Sequence, residues 1–387
     1  MIKARNFKLF YLHELFFRFS DDMLLLVLPI FIYKIYGSIS AIFFFVMIWN
    51  IIHGLLFIPM FNLAMRLGRP KYFMIIGMVF YISALLIFSR VTPESKELMI
   101  PGTILFSLYI AFYWMVRHWF TANNVDGKQV GKQMSIISLI RTFVSFTAPI
   151  VAGTMAHFVS FNATFVLGLT SATISLIPIA LFNAPPHPEK YSLKKVIATM
   201  KLPEVRAVSP GYFWEGVSFA TSMFIWPLIF FIFVGTILNL GFLIGGTTLI
   251  TGVLIWMTGQ KFDRKNRPLL LTQLTNFRAT SILLYASVYF WPHMIYVWLV
   301  EFSNRLALST QYTVMDSYLY SYGSRTNPVN FAMVREMYLN ISRFSTSALL
   351  ALVFLFLPES ALWLVLLIGA SSALGLKYIK RSDHLLH

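Results

Sequence analysis

The sequence predicts an all-α integral membrane protein, with twelve transmembrane helices in two pseudo-symmetric six-helix bundles. Three observations predict it. The chain is 58% hydrophobic and only 12% charged, with a mean hydropathy of +0.71, whereas soluble domains are about one quarter charged. Its apolar residues fall in long runs with mostly short polar breaks. Its second half repeats turn and loop residues of the first in nearly constant register.

A helix needs about 20 apolar residues to cross a bilayer. Runs of that length cover 7–36, 38–65, 71–91, 97–121, 131–157, 160–183, 208–234, 236–260, 267–291, 293–320, 328–357 and 359–379. Lipid offers no partner for free backbone groups, so helices are the spanning choice for this pattern. The basic start, MIKARNFKLF, leads into a run too long and too charged for a cleavable signal peptide. The polar stretch 184–206 stands apart. Pro185, Pro186 and Pro188 end the sixth helix there, because proline cannot continue a helical ladder. The expected organisation is a bundle over 1–183, a cytoplasmic linker over 184–206 and a second bundle over 207–387.

The net charge is +16. In a soluble protein that would suggest nucleic acid, but here topology accounts for it. Lys and Arg crowd the N-terminus, the loops after helices two, four, eight and ten, the linker and the C-terminus. The opposite side holds Lys34, Arg90 and Lys96. The positive-inside rule then places both termini and the linker in the cytoplasm, with the protein in the inner or plasma membrane. Cysteine is absent, as are HExxH and GxxxxGK[ST]. No metal, nucleotide or other cofactor is expected.

Sliding the second half over the first by 198 residues aligns Ser20 with Ser218, Pro29 with Pro227, Gly37 with Gly235 and Gly54 with Gly252. Arg66, Arg69 and Pro70 meet Arg264, Arg267 and Pro268, and Trp114 meets Tyr312. Beyond the fourth helix the offset is 202, and Arg141 meets Arg343. Two parallel repeats about an axis along the membrane normal form one large transporter layout.

These residues resemble the major facilitator superfamily. Its signature is a cytoplasmic loop, G-x-x-x-D-R-x-G-R-[RK], between helices two and three, often echoed between eight and nine. The echo GQKFDRKNRP is the better copy, with Gly259, Asp263, Arg264 and Arg267. The first copy keeps Arg66, Gly68 and Arg69 but has Phe61 and Met65 for the glycine and aspartate. TAPIVAG, with Pro149 and Gly153, resembles the tail of an exporter motif in helix five. The deep arginine of drug/proton antiporters is missing from helix four. The loop residues Arg66, Arg69, Asp263, Arg264 and Arg267 are expected to latch the cytoplasmic side: an aspartate can accept helix N-terminal N–H groups, and arginines can fork to carboxylates.

Charges at bilayer depth are costly and face a cavity or each other. Here the acids are Glu14, Asp21, Asp22, Glu215, Glu301, Asp316 and Glu336. The bases are Arg18, Arg117, Arg141, Arg278, Arg305, Arg335 and Arg343, with no lysine. Arginine holds its charge anywhere, whereas a buried lysine tends to lose its proton. The resemblance implies that helices 1, 4, 7 and 10 line a central cavity, flanked by 2, 5, 8 and 11. All but Arg278 lie on those helices. Glu14, Arg18, Asp21 and Asp22 share one face of the first helix, since positions three and four apart are neighbours. Glu301, Arg305, Ser309, Tyr312 and Asp316 do the same on the tenth. Glu336, Asn340 and Arg343 do so on the eleventh, and Glu215, Ser218 and Ser222 on the seventh.

Depth suggests two roles. Arg117, His118, Asp316, Arg335 and Glu336 lie near the cytoplasmic ends, as an inner gate would. Asp21, Asp22, Arg141, Arg305 and Arg343 lie nearer mid-membrane, with Glu14 and Glu215 between; they suit contact with substrate or a coupling ion, together with Arg18, Glu301, Tyr312 and Asn340. Proton coupling needs a carboxylate tuned by burial and neighbours. Asp22 is the favoured carrier, four residues from Arg18 and seven before Pro29, where a bend is possible. Trp114, Trp226 and Tyr312 are candidates to stack on an organic solute. For each of these residues the plainer role is packing alone.

The expected function is alternating-access transport of a small charged or zwitterionic organic solute, driven by a proton gradient. The expected partners are that solute, H+ and the lipid bilayer, with no nucleic acid and a monomeric state. The alternative is a receptor, scaffold or lipid scramblase on the same fold. No nucleophile–base arrangement supports an enzyme.

Overall fold

The computed structural model describes residues 2–124, 130–183, 191–222, 225–262, 267–323 and 328–379. Their regular structure is entirely helical. The first half contributes α1 (Ile2–Tyr36), α2 (Ile39–Arg66), α3 (Pro70–Phe88), α4 (Met99–Asn124), α5 (Val130–Phe158) and α6 (Phe161–Ala180). A short amphipathic α7 (Leu193–Met200) follows. The second half contributes α8 (Pro203–Ser222), α9 (Ile225–Val234), α10 (Ile237–Phe262), α11 (Arg267–Val288), α12 (Met294–Gly323), α13 (Pro328–Val353) and α14 (Trp363–Gly375).

Eight helical segments among the described residues are long and apolar enough to cross a membrane. They lie in α2–α6, in α8–α9, in α10 and around α14. The helices that fall short are α1, α11, α12 and α13. These carry Glu14 to Asp22, Arg278, Glu301 with Arg305, and Arg335 to Arg343. Internal charge and polar side chains lower the hydropathy of their described residues.

The chain divides into two compact units. The first comprises 1–37, 48–193 and 237–245; the second 38–47, 194–236 and 246–387. In the first, α1 packs on α5 and α6, and α3 packs on α4 and α6. In the second, α8 packs on α13 and α14, and α11 packs on α12 and α14. Corresponding helices of the repeat therefore pair in the same combinations.

The repeat extends to turns. Gly37 and Gly235 both adopt left-handed φ, +60° and +80°. Each closes its helix by an N–H bond four residues back, to Tyr33 and Phe231. Glycine reaches this region without the Cβ clash other residues pay. Pro70 starts α3 and Pro268 is the second residue of α11, as suits a residue lacking an N–H. α1 runs unbroken through Pro29, and its counterpart Pro227 lies within α9.

The TAPIVAG stretch also gains a reason. A Cβ on Gly153 would lie 2.6 Å from the carbonyl oxygen of Ile237 and 3.2 Å from the Gly241 Cα. The start of α10 can approach α5 this closely only because both residues are glycine.

Candidate functional site

In the first unit the site grows from α1. The arithmetic of three and four places Glu14, Arg18 and Asp21 on one face, and ion pairs join them. Arg18 Nε is 3.5 Å from Glu14, and Arg18 Nη1 is 3.9 Å from Asp21. Glu14 is fully buried and also takes a two-pronged hydrogen bond from Arg117 of α4. Such a fork is the strongest geometry for the pair. Both guanidiniums lie over Trp114, at 5.0 and 5.2 Å from its ring centre. That ring, a candidate for solute stacking, is engaged by the protein's own cations. Asp22 turns to α5, where Ser145 Oγ donates to it at 2.7 Å.

A second layer lies behind this face. Buried His13 meets the Tyr113 hydroxyl at one ring nitrogen and the Ser175 carbonyl at the other. Ser20 meets the Tyr81 hydroxyl at 3.1 Å. Sequence reasoning named none of Tyr81, Tyr113, Ser145 and Ser175. His13, a polar residue beside Glu14 in an apolar run, was the one visible signal.

In the second unit Glu215 of α8 pairs with Arg335 of α13 at 2.5 Å. Arg335 also lies 5.9 Å from the Tyr212 ring centre. Glu301 of α12 is fully buried. It accepts from Arg305, from Trp226 Nε1 at 2.9 Å and from the Tyr285 hydroxyl. Trp226, another stacking candidate, thus serves a carboxylate. Asn340 donates to the Glu336 carbonyl oxygen at 2.7 Å.

Arg278 had no place on the expected lining helices. The structure turns it inward from α11, where it is buried. Its Nη2 is 3.4 Å from Ser218 Oγ, and its guanidinium lies 5.8 Å from the Tyr312 ring centre. Arg343 sits 4.0 Å over the Phe219 ring. Among the described residues neither arginine forms a salt bridge, and the Nε of each is buried without a hydrogen-bond partner.

Depth alone separated Arg117 from Glu14 and Arg335 from Glu215, yet each pair is joined inside one unit. His118 is exposed and stands 6.0 Å from the Trp114 ring. Arg141 is exposed on α5. Arg66 and Arg69 are exposed at the end of α2 and make no ion pair among the described residues. Asp263 and Arg264 lie outside the described residues, as do the side chains of Arg267 and Asp316. A neighbouring contact that the motif did not suggest is Lys71, whose Nζ donates to the carbonyls of Ala180 and Phe182 at 2.6 and 2.8 Å. A cation there complements the negative end of α6.

The sequence matches the Major Facilitator Superfamily over residues 11–333. The chain belongs to that superfamily. No curated protein sequence matches it. Among solved structures it is similar to a POT family transporter in complex with 5-aminolevulinic acid, at a TM-score of 0.74 and 10% identity, covering 99% of this chain and 95% of that one. A POT family transporter in complex with a thioalcohol-conjugated peptide gives a TM-score of 0.72 at 10% identity, with the same coverage. The nucleoside transporter NupG gives 0.71 at 12% identity, covering 98% of this chain and all of that one. These likenesses establish the fold.

Proposed function

We propose that the chain is a twelve-span secondary transporter of a small charged or zwitterionic organic solute. It works by alternating access between its two six-helix halves and is coupled to protons. The observation that carries this reading is the placement of buried charge on α1, α4, α8, α11, α12 and α13 of a superfamily member. Such charge costs several kcal/mol at bilayer depth on most scales, and function is its default explanation. Solute and coupling ion would meet residues among Glu14, Arg18, Asp21, Asp22, Arg141, Glu215, Glu301, Arg305, Tyr312, Asn340 and Arg343. Asp22 is the proposed proton carrier. Its bond from Ser145 joins α1 to α5, and protonating the accepting oxygen would weaken that link.

One observation favours the scaffold, receptor or scramblase alternative. Glu14 and Glu301 are wholly buried and fully partnered. Dry, matched charge is what a packing role needs. Arg278 and Arg343 are not matched in this way, which favours transport.

The test is purified protein in liposomes with an internal pH dye, challenged with pooled amino acids, sugars, organic acids and cationic drugs. A transporter gives a pH change with one pool. Asp22→Asn is then expected to abolish the change while expression stays normal. Unaltered coupling in that variant removes the role given to Asp22. Silence across all pools, from folded and oriented protein, removes proton coupling and leaves proton-independent carriage and the scaffold as equal readings.

A further inference from the structure

Among the described residues of the second unit, Arg278 and Arg343 form no salt bridge, and they meet neighbouring residues of α8, Ser218 and Phe219. Tyr312 of α12 lies beneath the Arg278 guanidinium, 5.8 Å from its ring centre. Glu215 is already held by Arg335 at 2.5 Å. Glu301 is taken by Arg305, Trp226 and Tyr285. Neither carboxylate pairs with Arg278, 5% exposed, or with Arg343, half-buried against Phe219, and the Nε of each is unsatisfied. A buried guanidinium without its full set of acceptors is expensive. The fold at this position does not require one.

The repeat makes that last point. Ser20 of α1 and Ser218 of α8 are counterparts. In the first unit Ser20 reaches across to the neutral hydroxyl of Tyr81 on α3. In the second, Ser218 reaches across to the guanidinium of Arg278 on α11, one residue before the counterpart of Tyr81. The same helix crossing is thus built once with a phenol and once with a permanent cation.

We propose that Arg278 and Arg343, with the hydroxyl of Tyr312, form an anion subsite inside the second unit that takes the carboxylate or phosphate group of the transported solute. This rests on the solute-carrier reading above and narrows it to anionic or zwitterionic substrates. Arg343 makes the direct charge-assisted contact, because its side chain is the more accessible. Arg278 lies deeper and supplies field together with a donor. Tyr312 orients the oxygen between them.

Equilibrium binding separates this subsite from transport. Full-length protein in detergent is titrated with acetate, succinate, citrate, glycerol phosphate and inorganic phosphate, with succinamide as the uncharged control, following tryptophan fluorescence and the melting midpoint. At least one anion is expected to bind, and succinamide is not. Arg343→Gln should weaken that binding about tenfold or more, the loss of one charge-assisted contact. Arg278→Gln should weaken it similarly, and Arg278→Lys should recover part of the loss. Should Arg278→Gln fail to give monodisperse protein, Arg343→Gln and Tyr312→Phe carry the test. No anion binding in the wild type, or equal binding in Arg343→Gln, overturns the subsite. Anion binding without flux of that anion in proteoliposomes leaves the subsite standing and removes the transport reading instead.

Discussion

Glu14 is the most tightly held charge on α1, and removing it tests what the ion pair contributes. Glu14→Gln leaves Arg117 buried without its counter-charge, which should cost about 3–5 kcal/mol. The melting midpoint in detergent should fall sharply. Replacing both, Glu14→Leu with Arg117→Met, removes the charge and keeps the volume, so most of the midpoint should return. If the pair serves transport as well as packing, flux stays low in the double variant. Full recovery of both stability and flux would reduce the pair to packing. Spacing alone placed Glu14, Arg18 and Asp21 together, because the helical period is fixed. It could not supply Arg117, whose approach depends on how α4 packs. It missed the inward turn of Arg278 for the same reason.

At the scale of elements, the informative pair is the end of α1 and the end of α9. Gly37 and Gly235 have no atom within 4 Å of where a Cβ would stand. Any cost of substitution is therefore backbone strain, not crowding. Gly235→Ala should lose about 1–2 kcal/mol, the penalty of left-handed φ for an L-residue. Gly37→Ala should lose a similar amount, and unequal losses in the melting midpoint would break the equivalence. These turns were legible in the sequence because a single residue type dictates the local conformation. Pro29 was less legible: proline marks where a ladder loses a donor, but packing decides whether the helix bends there, and α1 runs on through it.

For the whole molecule, topology is the testable quantity, and the lack of cysteine provides a clean background. Glu94→Cys, in the exposed turn before α4, should react with an impermeant maleimide on intact cells. Ala198→Cys, exposed on α7, should react only after lysis. The reverse pattern would invert the orientation drawn from lysine and arginine. The common helix pairings in the two units have a further consequence, for biosynthesis. Every pairing among α1 and α3–α6 is available once residue 180 has been made. At about 5–20 residues per second, the remaining half of the chain takes roughly 10–40 s to synthesise. Glu14 can therefore find Arg117 while the ribosome is still translating, before any residue of α8 to α14 exists to compete for it.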